Sequence, residues 1–367
     1  MEKYLIVLKE NNDHSFFEDY RLNDAKVHMN IIVSTLLDEE LAEEISKDNR
    51  VVSIEKDKEE QTDIETGEIP KYINSKTSYA FDFMNISKFH DEGLRGQGFK
   101  IALLDTGIQK HTNLKIKDGI NVYDSRAPWN ENLANIHGTT VAGVLNAQGV
   151  NGELIGIIPD AELYCVRIDD GTGPINTTTW SSQIAGISWA VENGMHAVNC
   201  SFSSTEDSEA RKTAFKLASD AGIAIFCSAG NTQPSGDSIT DNSRYPAKYP
   251  FTIANANIDS NKKRYYTSTV GKGINFSNGG RLILTTTANK RSNEISDKHA
   301  TSTGTSLATP ATLGLYILYK QKYGETKEKI LERMAINAEK LGNHREYGAG
   351  LPKYPTQDYI NIQIKGW

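Results

Sequence analysis

The spacing of hydrophobic and polar positions changes character near residue 79. Before that point the apolar runs are short. YLIVL at 4–8 reads as a strand, 15–23 as a short helix, 27–36 as a β-branched strand, and 51–54 as a closing strand. Between the last two, LDEELAEEISKD puts Leu41 and Ile45 on one face behind a capping Asp38, with acids in the first turn. This β-α-β-α-β order, with the second strand open to splitting, predicts a small ferredoxin-like α+β unit. A unit of roughly 60 residues has a marginal core by itself. The stretch 55–72 is polar, acidic and aperiodic, and reads as a linker.

From residue 79 buried strands alternate with helices. FKIALLDTG (99–107), AELYCVRI (161–168), HAVNCSF (196–202) and IAIFCSAG (223–230) are continuous apolar runs. HGTTVAGVLNA, TTTWSSQIAGISWAVENG and EARKTAFKLASDAG are helical, and the last two end in a capping glycine. Such alternation predicts an α/β fold: a mostly parallel sheet with helices on both faces. Its ligands sit at the carboxyl ends of the strands. The chain therefore divides into residues 1–65, a linker at 66–78 holding a candidate processing site, and a large domain at 79–367.

Charge supports that division. Residues 1–65 carry 18 acids and 8 bases, net −10, and the remainder 29 acids and 32 bases, net +3. Two such pieces attract each other, although acids on a solvated helix face give the same count. The overall net charge of −7 excludes a global basic field, so no nucleic-acid partner is expected. No apolar run approaches the roughly 18 residues of a membrane span, so no membrane partner is expected either. Cys165, Cys200 and Cys227 are odd in number and far apart, which predicts neither a disulfide framework nor a metal knuckle.

Four residues carry candidate chemistry. Asp105 ends the strand IALL, His137 opens a helix of small residues, Asn231 follows IAIFC, and Ser306 sits at the start of an apolar helix. Singly, each also reads as an ordinary turn or cap. Together they form a chemical set. A serine hydroxyl needs a base to take its proton, and a carboxylate fixes that base's tautomer. An amide NH2 donates to the oxyanion that forms.

ALLDTGI, HGTTVAGVL, CSAGN and GTSLATPA resemble, in order, the four signature blocks of the subtilisin-like serine proteases. The resemblance runs from about residue 79 to the C-terminus. It implies a serine endopeptidase of subtilisin-like fold in which Asp105 orients, His137 is general base and then acid, Ser306 is the nucleophile and Asn231 donates to the oxyanion. It implies that protein or peptide substrates lie between DGTGP and SFSS, touching Gly171, Gly173, Ser201, Phe202 and Ser203. A side-chain pocket would be walled by Ala229 and Gly230 and floored by Arg244, a guanidinium that predicts acidic or polar preference. Residues 1–65 resemble the family's inhibitory propeptide. That implies an autoprocessed zymogen inhibited by its own prodomain, with the segment after residue 54 lying as an added strand between 170–174 and 201–204.

Some positions depart from the family. Thr139 stands where a second histidine is usual, and Leu307 where methionine often follows the serine. No cofactor is required. A Ca²⁺ site is implied by the family, but Asn113 replaces its carboxylate, with Asn151 as a further candidate ligand, so a weak or absent site is expected. The start MEKYLIVLKENND lacks a long apolar signal core. Together with the scattered cysteines, it predicts a cytoplasmic or phage-associated location, with secretion by a non-standard route left open. Two rivals remain: an aspartic protease, for which LLDTG supplies only one of two needed carboxylates, and a stably prodomain-inhibited or structural pseudoprotease.

Overall fold

Strand β1 (Glu2–Leu8) divides its side chains between two cores. Tyr4, Ile6 and Leu8 face Phe16, Val33 and Ile45 within the N-terminal unit, whereas Leu5 and Val7 belong to a core shared with the large domain. That split follows from the period of two along a strand. The computed structural model describes residues 1–11, 13–61, 76–131, 133–171, 177–231 and 241–356.

The N-terminal unit runs β1, α1 (His14–Asp19), β2 (Lys26–His28), β3 (Ile32–Leu37), α2 (Glu39–Ser46) and β4 (Val51–Lys56). Its sheet is antiparallel in the order β2-β3-β1-β4, a ferredoxin-like arrangement. The strand expected over 27–36 is split, forming the hairpin of β2 and β3. Met29 and Asn30 both take positive φ, at 51° and 65°, as a two-residue turn of matching twist requires. Asp38 caps α2 by accepting from the Leu41 N–H at 2.8 Å.

The presumed linker is ordered at its start. After β4 the chain forms β5 (Glu59–Gln61), described as far as residue 61. The large domain continues with α3 (Tyr79–Phe83), α4 (Ile86–Asp91), β6 (Lys100–Asp105), β7 (Ile116–Asn121), α5 (His137–Asn146), β8 (Glu162–Arg167), β9 (Thr177–Thr179), α6 (Trp180–Glu192), β10 (Ala197–Cys200), α7 (Glu209–Asp220) and β11 (Ala224–Ser228). It ends with β12 (Ile253–Ile258), β13 (Ile274–Gly279), β14 (Ile283–Thr286), β15 (His299–Ser302), α8 (Thr305–Tyr323), α9 (Lys327–Ile336) and α10 (His344–Tyr347).

Seven strands form one parallel sheet in the order β13-β12-β11-β10-β6-β8-β7. Helices cover both faces. Ile101 and Leu103 join the core around α5 and α8, while Ala102 and Leu104 join that around α6 and α7. The chain crosses over β6 between β8 and β10, so a crevice opens beyond the carboxyl ends of those three strands. Helix α8 is buried from Thr305 to Tyr319 and so presents its amino end to that crevice from inside the molecule. Among the described residues, no helix is long and apolar enough to cross a membrane.

Two carboxylates, one near the end of β4 and one just after it, bind the domains together. Glu55 accepts from the Ser208 hydroxyl at 2.6 Å and the Ala210 N–H at 2.9 Å, at the start of α7. Asp57 accepts from the Ser181 N–H at 3.0 Å, at the start of α6. Each meets first-turn donors that have no intrahelical partner, and each complements the positive end of a helix. Strand β5 then pairs antiparallel with β9, Glu60 opposite Thr178. The added strand was expected between 170–174 and 201–204; its described backbone pairing is with 177–179, and Ser204 meets it through a side chain.

Candidate active site

Asp105 is the last residue of β6 and is buried. Its Oδ1 accepts from the Thr106 N–H at 2.7 Å and from His137 Nδ1 at 2.7 Å. An ionised carboxylate only accepts, so Nδ1 carries the proton and Nε2 keeps a lone pair. His137 Nε2 is buried, with no hydrogen-bond partner among the described residues. The base is thereby oriented with its basic nitrogen presented to the crevice. The pairing also weighs against the aspartic reading: the side chain hydrogen-bonded to Asp105 Oδ1 is an imidazole.

The approach of α5 to β6 depends on a glycine. A Cβ on Gly138 would stand 2.3 Å from the Gly107 carbonyl oxygen and 3.2 Å from Asp105 Cβ. The Gly138 N–H donates to Thr106 Oγ1 at 3.0 Å, and the His137 N–H to Asn135 Oδ1 at 2.8 Å. Thr139, which stands where the family usually has a second histidine, accepts from the Gln109 N–H at 2.8 Å.

Ser306 lies one residue into α8, after Gly304, whose φ is 150°. Pro310 is inside that helix. It lacks the N–H that would meet the Ser306 carbonyl four residues back. Ser201 supplies the missing donor, its hydroxyl reaching the Ser306 carbonyl at 2.9 Å. In return the Ser306 hydroxyl donates to the Ser201 carbonyl at 3.2 Å. A rotation about χ1 separates this rotamer from others of the same backbone.

Asn231 follows β11. Its Oδ1 accepts from the Thr305 N–H at 2.9 Å and the Thr305 hydroxyl at 3.0 Å, which assigns oxygen and nitrogen of the amide and turns Nδ2 the other way. Nδ2 lies beside Gly304, where an added Cβ would meet it at 3.3 Å. Ala229 and Gly230 form the turn leading to Asn231. Arg244 donates its N–H to the Ala229 carbonyl at 3.3 Å, and its aliphatic stem covers Gly230, where a Cβ would stand 2.8 Å from Arg244 Cδ.

A cleft beside the Asp105–His137 pair is lined by Asp105, Thr106, His137, Ile168, Asp169, Thr178, Ser201 and Phe202. Ser203 is buried beside it, and Gly171 takes φ 68° over the Arg167 guanidinium. Gly173 lies outside the described residues. Sequence reasoning missed Asp169. It pairs with Arg167 at 3.0 Å, yet burial pushes its carboxyl up to about 7, aided by the nearby Asp105 and Asp170 charges. A roomier cleft near Met195, His196, Ile223 and Lys327 lies at the amino ends of β10 and β11 and contains none of these groups.

The two asparagines named for the implied calcium site differ in setting. Asn113 Oδ1 accepts from the Gln148 N–H at 3.1 Å and the Val150 N–H at 3.2 Å, while Nδ2 donates to the Leu154 carbonyl at 2.8 Å. Backbone donors pointing at the amide oxygen occupy the lone pairs a cation needs. Asn151 is exposed, at φ 53°. Among the described residues, no group of three or more His, Cys, Asp or Glu side chains could hold a metal.

Known proteins resemble the chain over most of its length. It is 32% identical over 354 residues to the thermostable alkaline protease of Halalkalibacterium halodurans, covering 95% of this chain and 90% of that protein. It is 31% identical over 339 residues to subtilisin E of Bacillus subtilis, covering 92% and 80%. It is 34% identical over 265 residues to subtilisin BL of Lederbergia lenta, covering 71% and 91%. The subtilisin relatives are secreted extracellular proteases, which overturns the expectation of a cytoplasmic or phage-associated location. That expectation rested on the apolar start and scattered cysteines, neither of which fixes a compartment. Since the subtilase pattern matches residues 96–350 and the first two of these relatives extend along nearly the whole sequence, the chain belongs to the subtilase family.

Proposed function

We propose that this serine endopeptidase of the subtilase family cuts peptide bonds with Ser306 as nucleophile, His137 as general base and then acid, and Asp105 as the group that orients it. The observation that carries the reading is the 2.7 Å contact of His137 Nδ1 with Asp105, which leaves Nε2 basic in the cleft beside Ser201 and the Ser306 helix. The Ser306 hydroxyl leaves the Ser201 carbonyl and turns to Nε2. Its proton passes to Nε2 as Oγ attacks the substrate carbonyl, and His137 returns that proton to the leaving amine. Asn231 Nδ2 and the Ser306 N–H, a first-turn donor, receive the oxyanion. Gly171, Ser201, Phe202 and Ser203 border the substrate strand, and Ala229, Gly230 and Arg244 the pocket for the residue before the cut, where Arg244 favours acidic side chains.

Residues 1–65 act as an inhibitory prodomain, cleaved by the chain itself within a linker mostly outside the described residues. The contacts of Glu55, Asp57 and β5 support this, because they close one side of the cleft with the chain's own strand. Incubating the purified chain, wild type against Ser306→Ala, and sequencing new N-termini tests it. Self-cleavage confined to the wild type is expected. Processing of the Ser306→Ala chain at the same bond, or an intact inert wild type, overturns it in favour of a pseudoprotease. Asn231→Ala is expected to lose about 10²–10³-fold in kcat, the size known for removing one oxyanion donor in a subtilisin.

A further inference from the structure

Arg211 on α7 is fully buried. Its Nη1 donates to both carboxylate oxygens of Glu60 at 2.9 Å and to Gln183 Oε1 at 3.2 Å. The Glu60 carboxylate also accepts from the Ser204 hydroxyl at 2.6 Å, from Gln183 Nε2 at 3.1 Å, and from Trp180 Nε1. The Arg211 guanidinium lies 5.5 Å from the Trp180 ring centroid. Four side chains, from α6, α7 and the loop after β10, thus converge on one acid.

That acid is a guest. Glu60 belongs to β5, and everything that holds it belongs to the large domain. Its backbone lies opposite Thr178, which itself lines the cleft with His137. Strand pairing is a generic grip on any extended peptide, and the pocket under the strand supplies the choice. Once β5 leaves, Arg211 remains a cation in a desolvated pocket, with the Trp180, Ser204 and Gln183 donors beside it. An apolar side chain entering there leaves Arg211 with neutral acceptors only, namely Gln183 Oε1, the Tyr249 hydroxyl and the Glu206 carbonyl, and takes the acceptor from Trp180 Nε1, which is costly; a glutamate restores the charged partner.

We infer that the pocket formed by Arg211, Trp180, Gln183 and Ser204 is a substrate subsite that selects a glutamate side chain on an extended strand upstream of the cut bond, with Glu60 as its internal occupant. This rests on the peptidase reading above. It concerns a residue further upstream than the one beside Arg244.

The test is a peptide library varied one position at a time over the five residues before the cut, given to the self-processed chain. Wild type is expected to prefer Glu over Ala or Leu by about 10-fold or more at one position not adjacent to the cut. Trp180→Phe and Ser204→Ala, which each remove one donor and leave Arg211, should lower that Glu-to-Ala ratio several-fold. Arg211→Met should turn it toward apolar side chains. An apolar or absent preference at every such position in the wild type overturns the proposal, as does an unchanged ratio in Trp180→Phe and Ser204→Ala. Wild type that cuts no peptide at all, like its Ser306→Ala control, overturns the peptidase reading and the subsite with it.

Discussion

Ser201 and Ser306 exchange hydrogen bonds in both directions: hydroxyl of Ser201 to carbonyl of Ser306 at 2.9 Å, and hydroxyl of Ser306 to carbonyl of Ser201 at 3.2 Å. The first bond exists because Pro310 cannot donate to the Ser306 carbonyl. The end of β10 therefore holds the first turn of α8 in place across the cleft. Ser201→Ala should leave a buried carbonyl without a donor, at a cost of about 1–3 kcal/mol, and should lower kcat more than it raises KM. Pro310→Ala restores a backbone N–H. In a double-mutant cycle it should recover part of the stability lost in Ser201→Ala, and additive losses would contradict the account.

Glu55 and Asp57 meet the starts of α7 and α6. Replacing both with Gln and Asn keeps the shapes and removes the charges. In a Ser306→Ala background, hydrogen exchange of β1 and β4 should speed up, with about 1 kcal/mol lost per contact. In the active chain, processing should quicken. Unchanged exchange would show that apolar contacts from Leu5, Val7 and Ile32 hold the unit alone.

Peroxide should leave activity largely intact. Leu307 beside the nucleophile has no sulfur to oxidise, and Cys165, Cys200 and Cys227 are free and fully buried. Burial pushes the Cys165 and Cys200 thiols up, so the reactive thiolate is scarce. Rapid inactivation, with a sulfur-oxidation mass shift on one cysteine, would refute this.

His28 gives the full-length chain an acid-sensitive point. Burial, with help from the Lys3 and Lys26 charges, lowers its pKa to about 4. The unfolded chain binds the proton near 6.5, and the folded chain only near 4. Stability is therefore fully present above about 6.5 and falls as pH drops toward 4, by on the order of 2–3 kcal/mol. Denaturant titrations of the Ser306→Ala chain across that window should show the fall. His28→Gln should flatten it, and a parallel fall in both chains would assign it to other groups.

Arg244 over Gly230 predicts the choice of residue beside the cut bond. Peptides differing only there should favour Glu over Phe or Leu in the wild type, and Arg244→Gly should reverse the order. A wild type that prefers the aromatic would show that the guanidinium leaves the pocket to solvent.

The sequence by itself determined the alternation of strands and helices, the capped helix after Asp38, and the blocks holding Asp105, His137, Asn231 and Ser306. Each rests on local rules: apolar period, cap chemistry, and the residue types that acyl transfer demands at strand ends and helix starts. The tertiary structure alone decided the rest. Residues 55–61 show only a polar, acidic, aperiodic pattern, so the added strand there was implied by the family resemblance and not by local rules. Their partners are the starts of α6 and α7 and the buried Arg211, which is 151 residues along the chain from Glu60. The hairpin at Met29–Asn30 carries no glycine to announce its positive φ. The partners of Asn113 emerge only once the N–H groups of Gln148 and Val150 are folded onto its amide oxygen. Ser201 became a support for Ser306 only when folding brought the end of β10 to the helix that Pro310 leaves one hydrogen bond short. In each case the deciding contact joins residues far apart in sequence, where local propensity carries no information and only packing chooses the partner.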